Sequence, residues 1–245
     1  MAIKSIQYKQ NTIDISYEIV NPDAKVDLIV LHGWGSNKNL MKQSFSPYMK
    51  GFRHIYIDLP GFGNSTCCLA MTTADVARIV EMFMVLINAS KDIILGHSFG
   101  GKVALILDPK VLVLVSSAGI YINKPLKVQL KIALAKIGNL LGLGKITSMF
   151  RAQDAQNLSE PMYQTFKNVV DEDFSDKFAD YTGLALICWG KDDTATPLFA
   201  GDKINSLIER SEFKIYEGDH YFFMKNAQSV SQEIEATFLS TLGVE

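Results

Sequence analysis

The sequence predicts an α/β fold built on a doubly wound, mostly parallel sheet of eight strands. Short apolar runs alternate with segments of helical periodicity along most of the chain, which is typical of parallel strands joined by helices. Runs such as residues 111–115 are apolar at every position, so these strands should be covered on both faces. With 245 residues, of which 48% are hydrophobic and 20% charged, the chain can bury a substantial core.

The elements follow one another in a regular order. Two runs rich in β-branched and aromatic residues, 5–8 and 12–19, predict an antiparallel hairpin at a sheet edge. The strands of the main sheet are expected at residues 27–32, 54–58, 92–95, 111–115, 184–189 and 212–216. Helices are expected at about residues 38–49, from Thr72 or Thr73 onward, over a short segment before Asp108 and Pro109, at about 198–208, and at the C-terminus to about Leu242.

The alternation stops between residues 120 and 182, where the pattern is helical and interrupted by glycines. We therefore expect residues 1–119 and 183–245 to form the core domain and residues 120–182 to form a helical cap inserted into it. Residues 124–151 carry apolar side chains at helical spacing with lysines between them, which favours packing over a cleft. Contact of this segment with an anionic membrane surface is the alternative.

A Gly-His-Ser-Phe-Gly motif at residues 96–100 lies between an apolar run and a helical pattern. This order predicts a sharp strand-to-helix turn, because glycines on both sides of Ser98 allow close backbone approach and a strained conformation. The N-terminal N–H groups of the helix would face the same place and favour negative charge on a bound carbonyl oxygen. Ser98 is therefore the predicted nucleophile.

A serine hydroxyl is a poor nucleophile and needs a neighbouring base, which is most often histidine. Of the four histidines, His32 precedes a glycine turn, His54 opens a predicted strand and His97 is held beside Ser98. His220 instead follows the last predicted strand, at the carboxyl end of the sheet where open α/β sheets bind their ligands. We predict that His220 is the base.

A carboxylate is expected to fix the tautomer of His220 and to stabilise its cation. Asp192 and Asp193 both follow the seventh predicted strand and fit the chain order serine, acid, histidine. The end of the preceding strand, residues 115–118, offers no carboxylate. Asp193 and Asp192 are thus the candidates for the acid.

Acyl transfer also needs two N–H donors for the oxyanion. The backbone N–H of Phe99, directly after the nucleophile, is one candidate, and that of Trp34, in the loop after residues 27–32, is the other. The side chains of Trp34 and Phe62 are expected to border the substrate pocket, and His32 is expected to tie two loops together.

Five motifs carry a resemblance to a known family. They are Leu-His-Gly-Trp-Gly at 31–35, Asp-Leu-Pro-Gly-Phe-Gly-Asn-Ser at 58–65, Gly-His-Ser-Phe-Gly-Gly at 96–101, the segment 189–197, and Gly-Asp-His at 218–220. With these motifs the chain resembles the α/β-hydrolase superfamily, and in particular bacterial serine hydrolases with a small helical cap. The resemblance implies Ser98 as nucleophile, His220 as base and Asp193 as acid, and oxyanion donors at Trp34 and Phe99. It disfavours relatives with an aspartate nucleophile, such as haloalkane dehalogenases and epoxide hydrolases.

Charge and composition exclude several classes of partner. A net charge of −2 gives no electrostatic basis for binding nucleic acid, and no metal-ligand cluster or phosphate-binding glycine loop implies a cofactor. The first residues lack the apolar core of a signal peptide and no apolar run is long enough to cross a membrane, so we expect a cytoplasmic protein. Cys67, Cys68 and Cys188 lack metal or redox spacing and are expected to be reduced thiols.

These features together predict a carboxylesterase-like enzyme that cleaves an ester, or a related acyl compound, of a small to medium apolar substrate through an acyl-enzyme. Three alternatives use the same scaffold: a carbon-carbon bond hydrolase, an acyltransferase, and a ligand receptor without catalytic activity.

Overall fold

The computed structural model describes residues 1–122 and 158–241. Its strands are β1 (Ala2–Tyr8), β2 (Asn11–Val20), β3 (Val26–Leu31), β4 (Phe52–Ile57), β5 (Ile93–His97), β6 (Val111–Val115), β7 (Leu184–Gly190) and β8 (Ser211–Tyr216). The helices within these residues are α1 (Lys38–Phe45), α2 (Thr73–Leu86), α3 (Phe99–Leu107), α4 (Glu160–Val169), α5 (Ser175–Asp180), α6 (Leu198–Leu207) and α7 (Phe223–Thr241).

The strands form one sheet in the order β1-β2-β4-β3-β5-β6-β7-β8. The pairs β1–β2 and β2–β4 are antiparallel, and the pairs from β4 to β8 are parallel. The predicted fold class, an eight-stranded and mostly parallel sheet with an antiparallel hairpin at one edge, is confirmed.

Helices cover the sheet on both faces. In β3, Ile29 and Leu31 pack with α2 and α3 on one face, whereas Leu28 and Val30 pack with α1 and α7 on the other. All four side chains are fully buried. The continuous apolar run therefore results from burial on two faces, with side chains alternating between two cores.

Some boundaries differ from those predicted. Helix α1 ends at Phe45 rather than near Met49, because Ser46 caps it and Pro47 has no N–H to continue the ladder. Strand β5 continues past Leu95 to His97, where its backbone is still paired with β6.

Helix α4 belongs to the segment predicted as a cap, and two polar side chains join it to the core. The Met71 N–H donates to the Thr165 hydroxyl at 2.9 Å, and the Asn168 amide donates to the Met71 carbonyl at 3.0 Å. The predicted basic segment 124–151 lies outside the described residues. Within residues 1–122 and 158–241, no helix combines the length and the apolar character that crossing a membrane requires.

The three cysteines are free thiols. Cys188 is fully buried in β7, where burial raises the pKa of its thiol to about 12.

Candidate active site

Ser98 occupies a strained turn between β5 and α3, with φ 50° and ψ −116°. Only glycine fits at two neighbouring positions. A Cβ on Gly96 would lie 2.3 Å from the Gly100 carbonyl oxygen, and a Cβ on Gly100 would lie 2.7 Å from the carbonyl oxygens of Leu31 and His32. Close approach of three backbone segments therefore holds Ser98 at the carboxyl edge of the sheet, as the motif predicts.

His220, in the loop after β8, contacts Asp193, in the loop after β7. His220 Nδ1 lies 2.8 Å from Asp193 Oδ2. Asp193 is buried, and its carboxylate also accepts hydrogen bonds from the backbone N–H groups of Ala195 and Thr196, both at 2.9 Å, and from the Thr196 hydroxyl at 2.8 Å. Asp192 is exposed. Of the two candidate acids, Asp193 is the one that contacts the imidazole.

The carboxyl group of Asp193 is ionised throughout the physiological pH range. Burial alone would raise its pKa, but the hydrogen bonds from His220 and from the backbone N–H of Thr196 outweigh burial and lower the pKa to about 2. A fixed carboxylate beside Nδ1 keeps the proton of neutral His220 on that nitrogen and leaves Nε2 as an acceptor.

His97 holds His220 next to the turn at Ser98. The centroids of the two histidine rings are 4.7 Å apart, and His97 Nε2 lies 3.1 Å from the His220 backbone carbonyl oxygen. Burial lowers the pKa of His97 to about 3, so the ring is neutral and donates its Nε2–H to that carbonyl. Among the residues that the structure describes, the Ser98 hydroxyl makes no hydrogen bond; such bonds are often long in unliganded sites and tighten with substrate.

His32 has a structural position away from the nucleophile. Its Nε2 accepts from the Leu59 N–H at 3.0 Å, so Nδ1 carries the proton and donates to the Gly33 carbonyl at 2.7 Å. Burial lowers the pKa of His32 to about 4, which keeps it neutral. His32 therefore ties the loop after β3 to the loop after β4.

A buried ion pair also fixes these two loops. Asp58 accepts from the Lys38 backbone N–H and from the Lys38 ammonium, each at 2.7 Å, and from the Asn64 N–H at 2.9 Å. A Cβ on Gly63 would lie 2.3 Å from the Asp58 carboxyl carbon. The Asp58 carboxylate thus shapes the turn around residues 58–64 and joins it to the start of α1.

Trp34 and Phe99 lie side by side, with ring centroids 5.7 Å apart. In the described part of the chain, neither backbone N–H donates to another protein group, so both are available to a ligand. The Trp34 ring also packs edge-on against Phe62, at 4.8 Å between centroids. Phe62 is buried against Trp34, which lines the cavity, and its place at the substrate pocket stays a prediction.

A cavity of about 330 Å³ opens at Ser98. Its wall is apolar over most of its extent and includes Trp34, Phe99, Ile120, Phe166 and Val169. Lys102 and Glu172 form a polar end, joined by an ion pair at 2.9 Å. Sequence reasoning missed both residues, although a lysine inside the otherwise apolar segment 99–107 was a signal.

Comparisons with known proteins find relatives whose activities differ from one another. A pimeloyl-[acyl-carrier protein] methyl ester esterase of Pectobacterium carotovorum is 40% identical over 79 residues, which are 32% of this chain and 29% of that protein. A 2-hydroxy-6-oxononadienedioate/2-hydroxy-6-oxononatrienedioate hydrolase of Klebsiella pneumoniae is 24% identical over 248 aligned residues, covering 86% of each chain.

A solved structure shares the fold. An esterase from Exiguobacterium antarcticum superimposes with a TM-score of 0.75 at 21% identity, covering 96% of this chain and 98% of that one. A model of the alpha/beta hydrolase family matches residues 28–233. The matched range includes the turn at Ser98, the buried Asp193 and the loop of His220, and this chain is a member of the alpha/beta hydrolase family.

Proposed function

We propose that this protein is a serine hydrolase that cleaves carboxylic esters, or related acyl compounds, of small to medium apolar substrates. Two observations support the proposal together: a serine on a strained turn at a cavity, and a histidine in contact with a buried aspartate. Ser98 lies on a strained turn at the cavity. The ring of His220 packs on that of His97, the residue before Ser98, with 4.7 Å between centroids, and its Nδ1 lies 2.8 Å from Asp193 Oδ2.

In the proposed reaction, Ser98 Oγ forms a bond to the acyl carbon while His220 Nε2 takes the hydroxyl proton. The carbonyl oxygen becomes an oxyanion, to which the N–H groups of Trp34 and Phe99 donate. The bond to the leaving alkoxide then breaks, and the alkoxide takes the proton from His220. Water attacks the acyl-enzyme as His220 takes one of its protons, and that proton returns to Ser98 when the acid leaves.

Asp193 has a positioning and electrostatic role in this scheme. Its carboxylate remains ionised, because the pKa is lowered to about 2, and it faces the imidazolium that forms when His220 takes the proton. The Thr196 hydroxyl, 2.8 Å from the same carboxylate oxygen, supports Asp193. We also propose that residues 120–182 cover the cavity as a cap, since α4 supplies Phe166 and Val169 to its wall.

Cleavage of a carbon-carbon bond is a second candidate. The Klebsiella pneumoniae relative aligns over 86% of both chains, whereas the esterase relative aligns over 32% of this one. Such a reaction would use the same three residues, with Ser98 attacking a ketone carbonyl and the proton delivered to a carbon leaving group. The substrate alone distinguishes the two reactions.

An activity screen tests both candidates. The wild-type protein and Ser98→Ala would be assayed with p-nitrophenyl esters from acetyl to dodecanoyl and with a 2-hydroxy-6-oxodienoate. We expect ester hydrolysis that is fastest for short to medium acyl groups and is lost in Ser98→Ala. Turnover of the dienoate alone would favour carbon-carbon cleavage, and faster release of p-nitrophenol with an added alcohol acceptor would favour acyl transfer. The absence of any Ser98-dependent turnover would contradict the proposal and favour a ligand receptor.

A further inference from the structure

A buried cation lies at one end of the cavity that contains Ser98. Lys102 is on α3, four residues after Ser98, and is 2% exposed. Its ammonium donates to the Val169 carbonyl at the end of α4 and to the Glu172 carboxylate at 2.9 Å. It also lies 5.6 Å from the centroid of the Phe99 ring. The cation is therefore held in one place, beside the ring of Phe99.

Packing alone does not account for a lysine at this position. The remainder of α3 is Phe, Gly, Val, Ala, Leu and Ile, and a buried ion pair is often no more stable than apolar residues of similar volume. Burial lowers the pKa of Lys102, although the Glu172 carboxylate opposes the change. A buried charge that lines a cavity is a candidate for ligand recognition.

The partner of Lys102 can move more easily than Lys102 itself. The Glu172 side chain is 27% exposed, against 3% for Lys102, and it lies in the loop between α4 and α5. Apart from Lys102, the Thr73 hydroxyl donates to it. Rotation of Glu172 towards solvent would break its ion pair with Lys102. The Asp171 carboxylate would remain as a weaker electrostatic neighbour, and a ligand carboxylate could take the place of Glu172.

We propose that the acyl group of the substrate ends in a carboxylate, and that this carboxylate replaces Glu172 as the partner of Lys102. The inference rests on the proposed ester hydrolysis at Ser98 and narrows its substrate class, from apolar acyl groups in general to acyl groups whose apolar chain ends in a carboxylate. Four residues of helix separate Ser98 from Lys102 by about 6 Å along the axis, which suits a chain of medium length. Its methylene groups would contact the apolar wall, and the cation would remain paired throughout.

Three p-nitrophenyl esters of similar length test the inference. They are the monoester of adipic acid, which ends in a carboxylate, the ester of adipamic acid, which ends in a neutral amide, and the ester of 6-aminohexanoic acid, which ends in an ammonium. The rates with Ser98→Ala would be subtracted as background. We expect kcat/KM for the carboxylate ester to exceed that for the amide ester by about tenfold or more, as for a charge-assisted hydrogen bond.

Two variants should move this ratio in opposite directions. Glu172→Gln removes the competing negative charge and should raise the ratio of carboxylate to amide ester. Lys102→Met removes the cation and should lower the ratio towards one. Lys203→Met, an exposed lysine on α6, is the control and should leave the ratio unchanged. As a readout without turnover, adipate should raise the thermal midpoint of Ser98→Ala more than adipamide does.

The outcomes separate the two proposals. Three outcomes would overturn the carboxylate inference and leave the proposed ester hydrolysis intact. They are Ser98-dependent hydrolysis of all three esters with a carboxylate-to-amide ratio near one, a preference for the ammonium ester, and a lower carboxylate-to-amide ratio in Glu172→Gln. If Lys102→Met does not fold, the direction in which Glu172→Gln changes the carboxylate-to-amide ratio still tests the carboxylate inference. No Ser98-dependent hydrolysis of any ester would overturn both.

Discussion

His220 Nδ1 lies 2.8 Å from Asp193 Oδ2, although the two residues come from loops after different strands. Asp193→Asn should therefore lower kcat strongly, because an amide facing Nδ1 neither fixes the required tautomer nor stabilises the imidazolium. We expect a loss of about 10⁴-fold, the size seen when a triad aspartate is replaced by asparagine. Steady-state hydrolysis of the best ester measures it.

Asp192→Asn is the matched control for this change. Asp192 is the neighbouring residue and is exposed, so the same loss of charge should leave kcat nearly unchanged. Equal losses in the two variants would show that the charge of the loop matters, rather than the contact with His220.

Replacing Thr196 tests the positioning role of the Asp193 carboxylate without removing its charge. The Thr196 hydroxyl donates to Asp193 Oδ2 at 2.8 Å, the same carboxylate oxygen that lies 2.8 Å from His220 Nδ1. Thr196→Val should reduce kcat/KM by about tenfold, since a hydrogen bond to a charged group contributes roughly 1.5 to 3 kcal/mol. Thr196→Ser keeps the hydroxyl and should restore most of the activity; an equally impaired serine variant would assign the effect to packing.

Gly96, two residues before the proposed nucleophile Ser98, should not tolerate any side chain. A Cβ on Gly96 would lie 2.3 Å from the Gly100 carbonyl oxygen and 2.5 Å from the Gly101 nitrogen, and backbone atoms cannot rotate away. We expect Gly96→Ala to lower the free energy of unfolding by about 3 kcal/mol. Urea unfolding measures it.

Gly51→Ala is the control for the glycine prediction. Gly51 is exposed, and a Cβ there would meet nothing within 4 Å. Its free energy of unfolding should change little. Similar losses for the two variants would contradict the close approach described for the turn at Ser98.

The strands could be predicted because burial on two faces leaves apolar residues at every position of a parallel strand. Their ends were harder to predict. Strand β5 includes Gly96 and His97, because pairing with β6 depends on the backbone and continues regardless of side-chain type. Helix α1 ends at Phe45, two residues before Pro47, rather than near Met49.

Parts of the site could also be predicted from the chain. Ser98 and His220 follow from motif and strand order, but neither order nor composition separates Asp193 from Asp192, since loop geometry determines which side chain is buried. Lys102 was missed because its partner, Glu172, is 70 residues away and comes from a segment without a motif.

Buried histidines should make stability sensitive to mild acid. Burial lowers the pKa of His32 to about 4 and that of His97 to about 3, from an ordinary value of 6.5, and burial also lowers the pKa of His54. At about pH 5 the folded protein keeps the rings of His32 and His97 neutral, whereas the unfolded chain protonates them. The unfolded state therefore binds more protons, and stability falls as the pH is lowered from 6.5 towards about 5.

Each buried histidine should contribute a slope of up to about 1.4 kcal/mol per pH unit in this range. Urea unfolding at several pH values between about 7 and 5 measures the slope. His32→Gln should reduce the slope by the share of one histidine, whatever its effect on overall stability. A stability that does not change over this range would contradict the assignment of neutral, buried rings.

Covalent labelling with a fluorophosphonate tests the catalytic assignment most directly. The reagent reacts with an activated serine, so mass spectrometry of the labelled protein and its peptides should find one adduct on Ser98 in the wild-type protein. Labelling should be absent in Ser98→Ala and greatly slowed in His220→Gln. Labelling of a different residue, or equal rates in wild type and His220→Gln, would contradict the account of Ser98 as a nucleophile activated by His220.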